Sequence, residues 1–135
     1  MSRKWFLLVS IFLIVVAVIP AFDASGNGVL AKCQTAIQFV DNNGAPVGEH
    51  FDSGWCIGWV AGALQLSKLH NDWATFIGEK PALLQFCLPD SGIPAIQAAR
   101  VVVKYLKEHT EQLHEDGMSL TIAALKDSFP CTSKK

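Results

Sequence analysis

Four cysteines, Cys33, Cys56, Cys87 and Cys131, all lie downstream of an apolar N-terminal run. Arg3 and Lys4 precede that run, residues 6–19 hold no charge, and Pro20 ends it before the small and polar stretch Asp-Ala-Ser-Gly-Asn-Gly. Basic start, apolar middle and small-residue exit form the layout of a secretory signal. Cleavage is expected after Ala24 or after Gly26, with the second preferred. The run sits near the lower limit of about 17 apolar residues for spanning a bilayer, which disfavours an uncleaved anchor. The expected organisation is a signal peptide at 1–26, one domain at 27–131 and a frayed tail at 132–135.

An even number of cysteines in an exported chain predicts two disulfides, with all three connectivities open. Two staples worth about 2–4 kcal/mol each suit a domain of this size. No Cys-x-x-Cys or His-x-x-Cys pair is present, so no metal site is expected.

Helical periodicity recurs along the remaining chain. Val29, Leu30, Cys33, Ile37 and Val40 predict a first helix over 28–41, capped by Asn27 and stopped by Asp-Asn-Asn-Gly. A second begins near Asp52 or Ser53 and runs to residue 69, with Cys56, Val60, Ala63, Leu64 and Ser67 on one side. Residues 70–86 lose the pattern and read as a helical turn followed by an ordered loop. Pro94 suits the first turn of a third helix, because proline lacks an amide hydrogen that this turn leaves unused. Its inner face is Ile96, Ala99, Val103 and Leu106, and its wet face Arg100, Lys104 and Lys107. A fourth helix is expected from a cap at His109, with Leu113, Gly117, Leu120, Ala124 and Leu125 inward, ending before Pro130. No strand pattern competes, so the fold class is all-α: a compact, disulfide-stapled four-helix bundle with one short extra turn.

The second helix carries Gly-Trp-Cys-Ile-Gly-Trp-Val-Ala-Gly, with Gly54, Gly58 and Gly62 every fourth residue. Such spacing is familiar from close-packed membrane helices, yet the stretch is short and its continuation Gln-Leu-Ser-Lys-Leu-His-Asn-Asp is polar. The expectation is a soluble helix whose glycine face lets a neighbouring helix approach, with Cys56 anchoring the contact covalently.

Chemistry-bearing constellations are scarce. Eleven Lys and Arg, less Arg3 and Lys4 of the leader, face twelve Asp and Glu, less Asp23, and the positive charges are scattered; nucleic acid is not an expected partner. His109 and His114 are five apart and point to different helix faces, and no nucleophile elbow or phosphate loop occurs. The sequence predicts no catalytic residues, no cofactor and no enzyme.

Three blocks together resemble the Tai/Rap immunity proteins of type VI secretion. Gly54, Cys56, Gly58, Trp59 and Gly62 match a Gly-x-Cys-x-Gly-aromatic-x-x-Gly pattern. Cys87, Leu88, Pro89, Gln97, Tyr105, Leu106 and His109 match a second block. Leu113, His114, Ala124, Leu125, Phe129, Pro130 and Cys131 match the last. Trp59 stands where the family more often has tyrosine, and Thr110 replaces the proline after His109.

The resemblance implies a periplasmic protein that binds a peptidoglycan-cleaving amidase delivered by neighbouring cells and occludes its cleft, often as a homodimer. A rigid, stapled bundle presenting a preformed loop loses little ordering entropy on binding. The irregular stretch 70–81 is the expected contact region, through Asn71, Asp72, Trp73, Glu79 and Lys80, which combine an aromatic anchor with charge; residues 41–43 come second. The competing reading is a small helical periplasmic stress protein or acid chaperone, for which the four histidines would sense mild acid.

Overall fold

The computed structural model describes residues 23–42, 50–78 and 86–131. Residues 1–22 of the expected signal peptide, the tail after Cys131, and Asn43, Glu79 and Lys80 lie outside the described residues. Among the described residues four α-helices form the fold: α1 Gly26–Asp41, α2 His50–Ile77, α3 Ala95–Glu108 and α4 Gly117–Ser128, with a 3-10 turn Thr110–Gln112 between the last two. Among the described residues there is no strand, only an isolated antiparallel bridge between Ser25 and Asp116.

The α1 helix starts two residues earlier than its periodicity predicts. Ser25 is the cap, its hydroxyl accepting from the amide of Gly28, and Asp23 accepts from the Ser25 amide at 2.9 Å. These bonds hold the Asp23 carboxyl below its ordinary range, the hydrogen bonds from Ser25 being the main cause. Ala24 accepts a bond from the amide of Gly117 at 2.8 Å, and the amides of Gly26 and Asn27 donate to Glu115 and Leu113. Residues 23–25 therefore belong to the folded unit, and a cut after Gly26, the preferred site from sequence, would fall inside α1 and remove its cap.

Two faces of the helices make the core as the spacing predicts. Val29, Cys33 and Ala36 of α1 meet Cys56, Val60, Ala63 and Leu64 of α2, while Ala98, Ala99, Val102, Val103 and Leu106 of α3 and Leu120, Ala124 and Leu125 of α4 close the other side. Val40 is an exception, lying exposed near the end of α1. Burial of these side chains supplies the driving force, at about 25 cal/mol per Å² of apolar surface removed from water. Arg100 of α3 makes a two-pronged ion pair with Asp41 at the end of α1, at 2.5 and 3.2 Å.

Both disulfides form, and their connectivity is now assigned. Cys33 is bonded to Cys56, joining α1 to α2 inside the core with both residues fully buried. Cys87 is bonded to Cys131, tying the segment before α3 to the chain after α4 at an exposed edge. Beside the second bridge, the Cys87 amide donates to the Phe129 carbonyl at 2.8 Å. Phe86, immediately before it, is buried.

Two local readings are corrected. The α2 helix runs on to Ile77, where the sequence suggested an end at residue 69 and a loop beyond. Ala74 is buried and no glycine or proline intervenes before Gly78, whose φ of 75° ends the helix. His109 is not the cap of α4 but the residue that ends α3: its amide and its Nδ1 both approach the Tyr105 carbonyl, at 3.0 and 2.8 Å, and its ring stacks on Tyr105. The α4 cap is Asp116, whose carboxylate accepts from the amide and the hydroxyl of Ser119, each at 2.8 Å.

Candidate interaction surface

Extension of α2 to Ile77 changes what the molecule presents to a partner. The inner side of the helix is occupied by Cys56, Val60, Ala63, Leu64, Ser67 and Ala74. On the opposite side Phe51, Leu66, Leu69, Trp73, Phe76 and Ile77 are exposed, and Gly54, Gly58 and Gly62 lie among them. Positions 51, 54, 58, 62, 69, 73 and 76 recur at spacings that keep them on one face of a 3.6-residue helix.

The glycine reading from sequence is therefore corrected. A methyl group built on Gly54, Gly58 or Gly62 meets nothing within 4 Å, so no helix of the same chain packs on that face among the described residues. Close approach occurs at other glycines. A methyl on Gly26 would come within 2.6 Å of the Leu120 side chain, and one on Gly117 would collide with the Ala24 carbonyl and Val29. The repeat every four residues drew attention to the wrong set, because spacing alone does not say which face of a helix is covered.

Flanking the glycines, Trp55 and Trp59 stack at 4.8 Å between centroids, and Lys32 of α1 lies over the Trp55 ring at 5.1 Å. The Trp59 indole nitrogen donates to the Thr121 hydroxyl on α4 at 3.0 Å. The two tryptophans thus turn towards α1 and α4, leaving the glycines outermost.

Beside the apolar face, α2 and the segment before α3 enclose a groove of about 480 Å³. Lys68 and Asp72 stand on its α2 wall and Leu88, Pro89, Asp90 and Ile93 opposite. Pro89 and Gly92 make the reversal that shapes the far wall: the Gly92 amide donates to the Pro89 carbonyl at 2.7 Å, and its φ of 68° is one that glycine adopts without strain. Lys68 and Asp72 form an exposed i,i+4 ion pair at 2.7 Å.

The contact residues expected from sequence are split by this geometry. Asn71, Asp72 and Trp73 lie on the last turns of α2, not on a loop. Asp72 faces the groove, while Trp73 belongs to the apolar face, about 100° further round the helix. The signal for the longer helix is its periodicity, since positions 66, 69, 73 and 76 continue the outer face. Their exposure, however, is not written in the sequence.

The histidines do not assemble a site. His50 makes an edge contact with Phe39, His109 stacks on Tyr105, and His114 is exposed. Among the described residues no group of three His, Cys, Asp or Glu is arranged to hold a metal ion. None of the described helices is long and apolar enough to cross a membrane.

A family model for Rap1a immunity proteins matches residues 25–131. These limits coincide with structure: Ser25 caps the first helix and Cys131 closes the second disulfide. Searches among curated proteins and among solved structures gave no match. The match spans all four helices and both disulfides, and the chain belongs to the Rap1a immunity protein family.

Proposed function

We propose that this protein is exported to the periplasm and neutralises a type VI secretion toxin of the peptidoglycan amidase class by covering its cleft. The observation that carries the reading is the Rap1a match over 25–131, a family whose members are immunity proteins. Two disulfides support an oxidising compartment, where such bonds persist. Inhibition here is non-enzymatic and rests on binding alone, which suits a domain whose helices are stapled before the partner arrives.

The groove beside α2 is the proposed toxin contact. Its floor is apolar and its rim carries Lys68, Asp72 and Asp90, so a protruding polypeptide segment can bury side chains while its polar groups pair at the edge. Asp72 is retained from the contact set expected from sequence, and Asn71, Glu79 and Lys80 are kept as proposed contacts on the strength of the sequence alone.

A protection experiment tests this reading. Cells that direct an amidase toxin of this class to their own periplasm should lyse, and co-expression of the full chain with its leader should prevent lysis. A chain lacking residues 1–22 should not protect. Lysis that continues despite verified periplasmic accumulation of the protein, for the amidases of its own gene neighbourhood and related strains, counts against the proposal.

A further inference from the structure

The groove wall made by residues 86–93 leaves backbone groups open, unlike the helices around it. Among the described residues its amides donate at only two places, Cys87 to the Phe129 carbonyl and Gly92 to the Pro89 carbonyl. Leu88 is half-buried and lines the groove, yet neither its amide nor its carbonyl makes a hydrogen bond among the described residues. Backbone groups out of bulk water are normally met by a partner. Leu88 also precedes Pro89, and a residue before proline is pushed to extended backbone. An extended residue with both groups open can pair with a second extended chain, as a peptide does at a sheet edge.

The side chains around Leu88 say what that chain carries. Leu64 and Phe86 are buried where they line the groove, and Ile93 is half-buried beside them. The volume of about 480 Å³ lies within the roughly 300–1,000 Å³ of clefts that take small ligands. It has room for an aliphatic side chain with its flanking backbone. Among the described residues three charged ones line it: Lys68, Asp72 and Asp90. Lys68 and Asp72 neutralise each other in their ion pair at 2.7 Å. Asp90 is exposed, and its carboxylate has no ion-pair or hydrogen-bond partner among the described residues. The groove thus keeps one uncompensated negative charge, which favours a cation and disfavours an anion.

We infer that the groove receives an extended polypeptide segment in which an aliphatic residue stands next to a lysine or arginine. The backbone of that segment pairs with the amide and carbonyl of Leu88. Its aliphatic side chain rests on Leu64, Phe86 and Ile93, and its cation meets Asp90. Asp90 sets the preference for charge, and Leu88 the demand for an unblocked backbone. Assigning the segment to the toxin rests on the function proposed above, whereas the chemistry of the groove stands on its own residues.

Backbone amide chemical shifts of the purified exported protein, titrated with blocked tetrapeptides, test the inference. The probes are acetyl-Gly-Leu-Lys-Gly-amide, the same peptide with glutamate in place of lysine, and the lysine peptide N-methylated at leucine. The lysine peptide should bind with a dissociation constant on the order of 1 mM, moving resonances of residues 64–72 and 86–93. The glutamate peptide should bind about fivefold more weakly, the scale of one exposed ion pair. Asp90→Asn, with unchanged melting, should remove most of that difference. N-methylation takes away one hydrogen bond and leaves charge and side chain alone; it should weaken binding by about fivefold as well. Shifts confined to residues outside the groove, or no shifts, would overturn the inference. Equal binding of the lysine and glutamate peptides would overturn the charge preference, and tolerance of N-methylation the backbone pairing. A protein that inhibits an amidase toxin but binds none of the probes keeps the proposed function and loses this inference. One that binds the lysine peptide and inhibits no amidase does the reverse.

Discussion

Trp59 of α2 and Thr121 of α4 are joined by a hydrogen bond of 3.0 Å from the indole nitrogen to the hydroxyl, and that hydroxyl donates in turn to the Gly117 carbonyl at 2.7 Å. Thr121 is fully buried, so this relay fixes α2 against α4 where neither disulfide reaches. Trp59→Phe keeps most of the ring and removes one bond, at an expected cost of about 1 kcal/mol. Thr121→Val should cost more, because it leaves the indole N–H without an acceptor. Urea unfolding midpoints of the two variants give the comparison.

The two sets of glycines should respond oppositely to a methyl group. Gly117→Ala forces Cβ into the Ala24 carbonyl and Val29, and should destabilise by about 1–3 kcal/mol. Gly58→Ala meets nothing and improves helix propensity, so the monomer should gain up to about 1 kcal/mol. Thermal or urea unfolding in dilute solution, below any self-association, separates the two.

That contrast marks where the sequence is legible. Inner faces could be read because burial is periodic: Cys56, Val60, Ala63, Leu64 and Ser67 were all correctly placed inside. So were Leu120, Ala124 and Leu125 in α4. Helix ends were read less well. His109 and Asp116 are both credible caps, and the choice depends on a 3-10 turn that places Asp116, not His109, under the Ser119 amide. The outer face of α2 was unreadable for a different reason. An exposed Leu69 and a buried Leu64 are chemically alike, and only the position of the other helices distinguishes them. The expected contact set failed to stay together because Asp72 and Trp73, neighbours in sequence, diverge once the segment is helical.

The disulfides should differ in access to reductant. Cys33 and Cys56 are sealed in the core, whereas Cys87 and Cys131 are exposed. Graded reduction of the native protein, followed by alkylation and peptide mass mapping, should show Cys87–Cys131 opening first. Replacing Cys33 and Cys56 together by alanine should cost about 2–4 kcal/mol. Release of Cys33–Cys56 first would contradict the assigned burial.

Acid should loosen the start of α4. The Ser119 amide, and then its hydroxyl, hold the Asp116 carboxyl below the ordinary carboxylate range. Because the folded pKa lies below the unfolded one, the carboxylate contributes its full stability above about pH 4, the ordinary aspartate value. That contribution disappears as pH falls through the folded pKa. Asp116→Ala should cost about 1 kcal/mol at neutral pH. The gap between native protein and variant should narrow below about pH 4. Unfolding curves collected from pH 7 down to pH 3 check the sign; a gap that widens in acid would refute it.

Binding and inhibition of a toxin are the centre of this account, and one titration reaches them directly. The purified protein, with both disulfides intact, is added in increasing amounts to a peptidoglycan amidase of the proposed toxin class, and cleavage of cell-wall peptides is followed. The account predicts that activity falls to background as the two approach equal concentrations, and that charge reversal at Asp72 weakens the inhibition. Undiminished cleavage at a large molar excess of folded protein, for that amidase and for those of related strains, would contradict it.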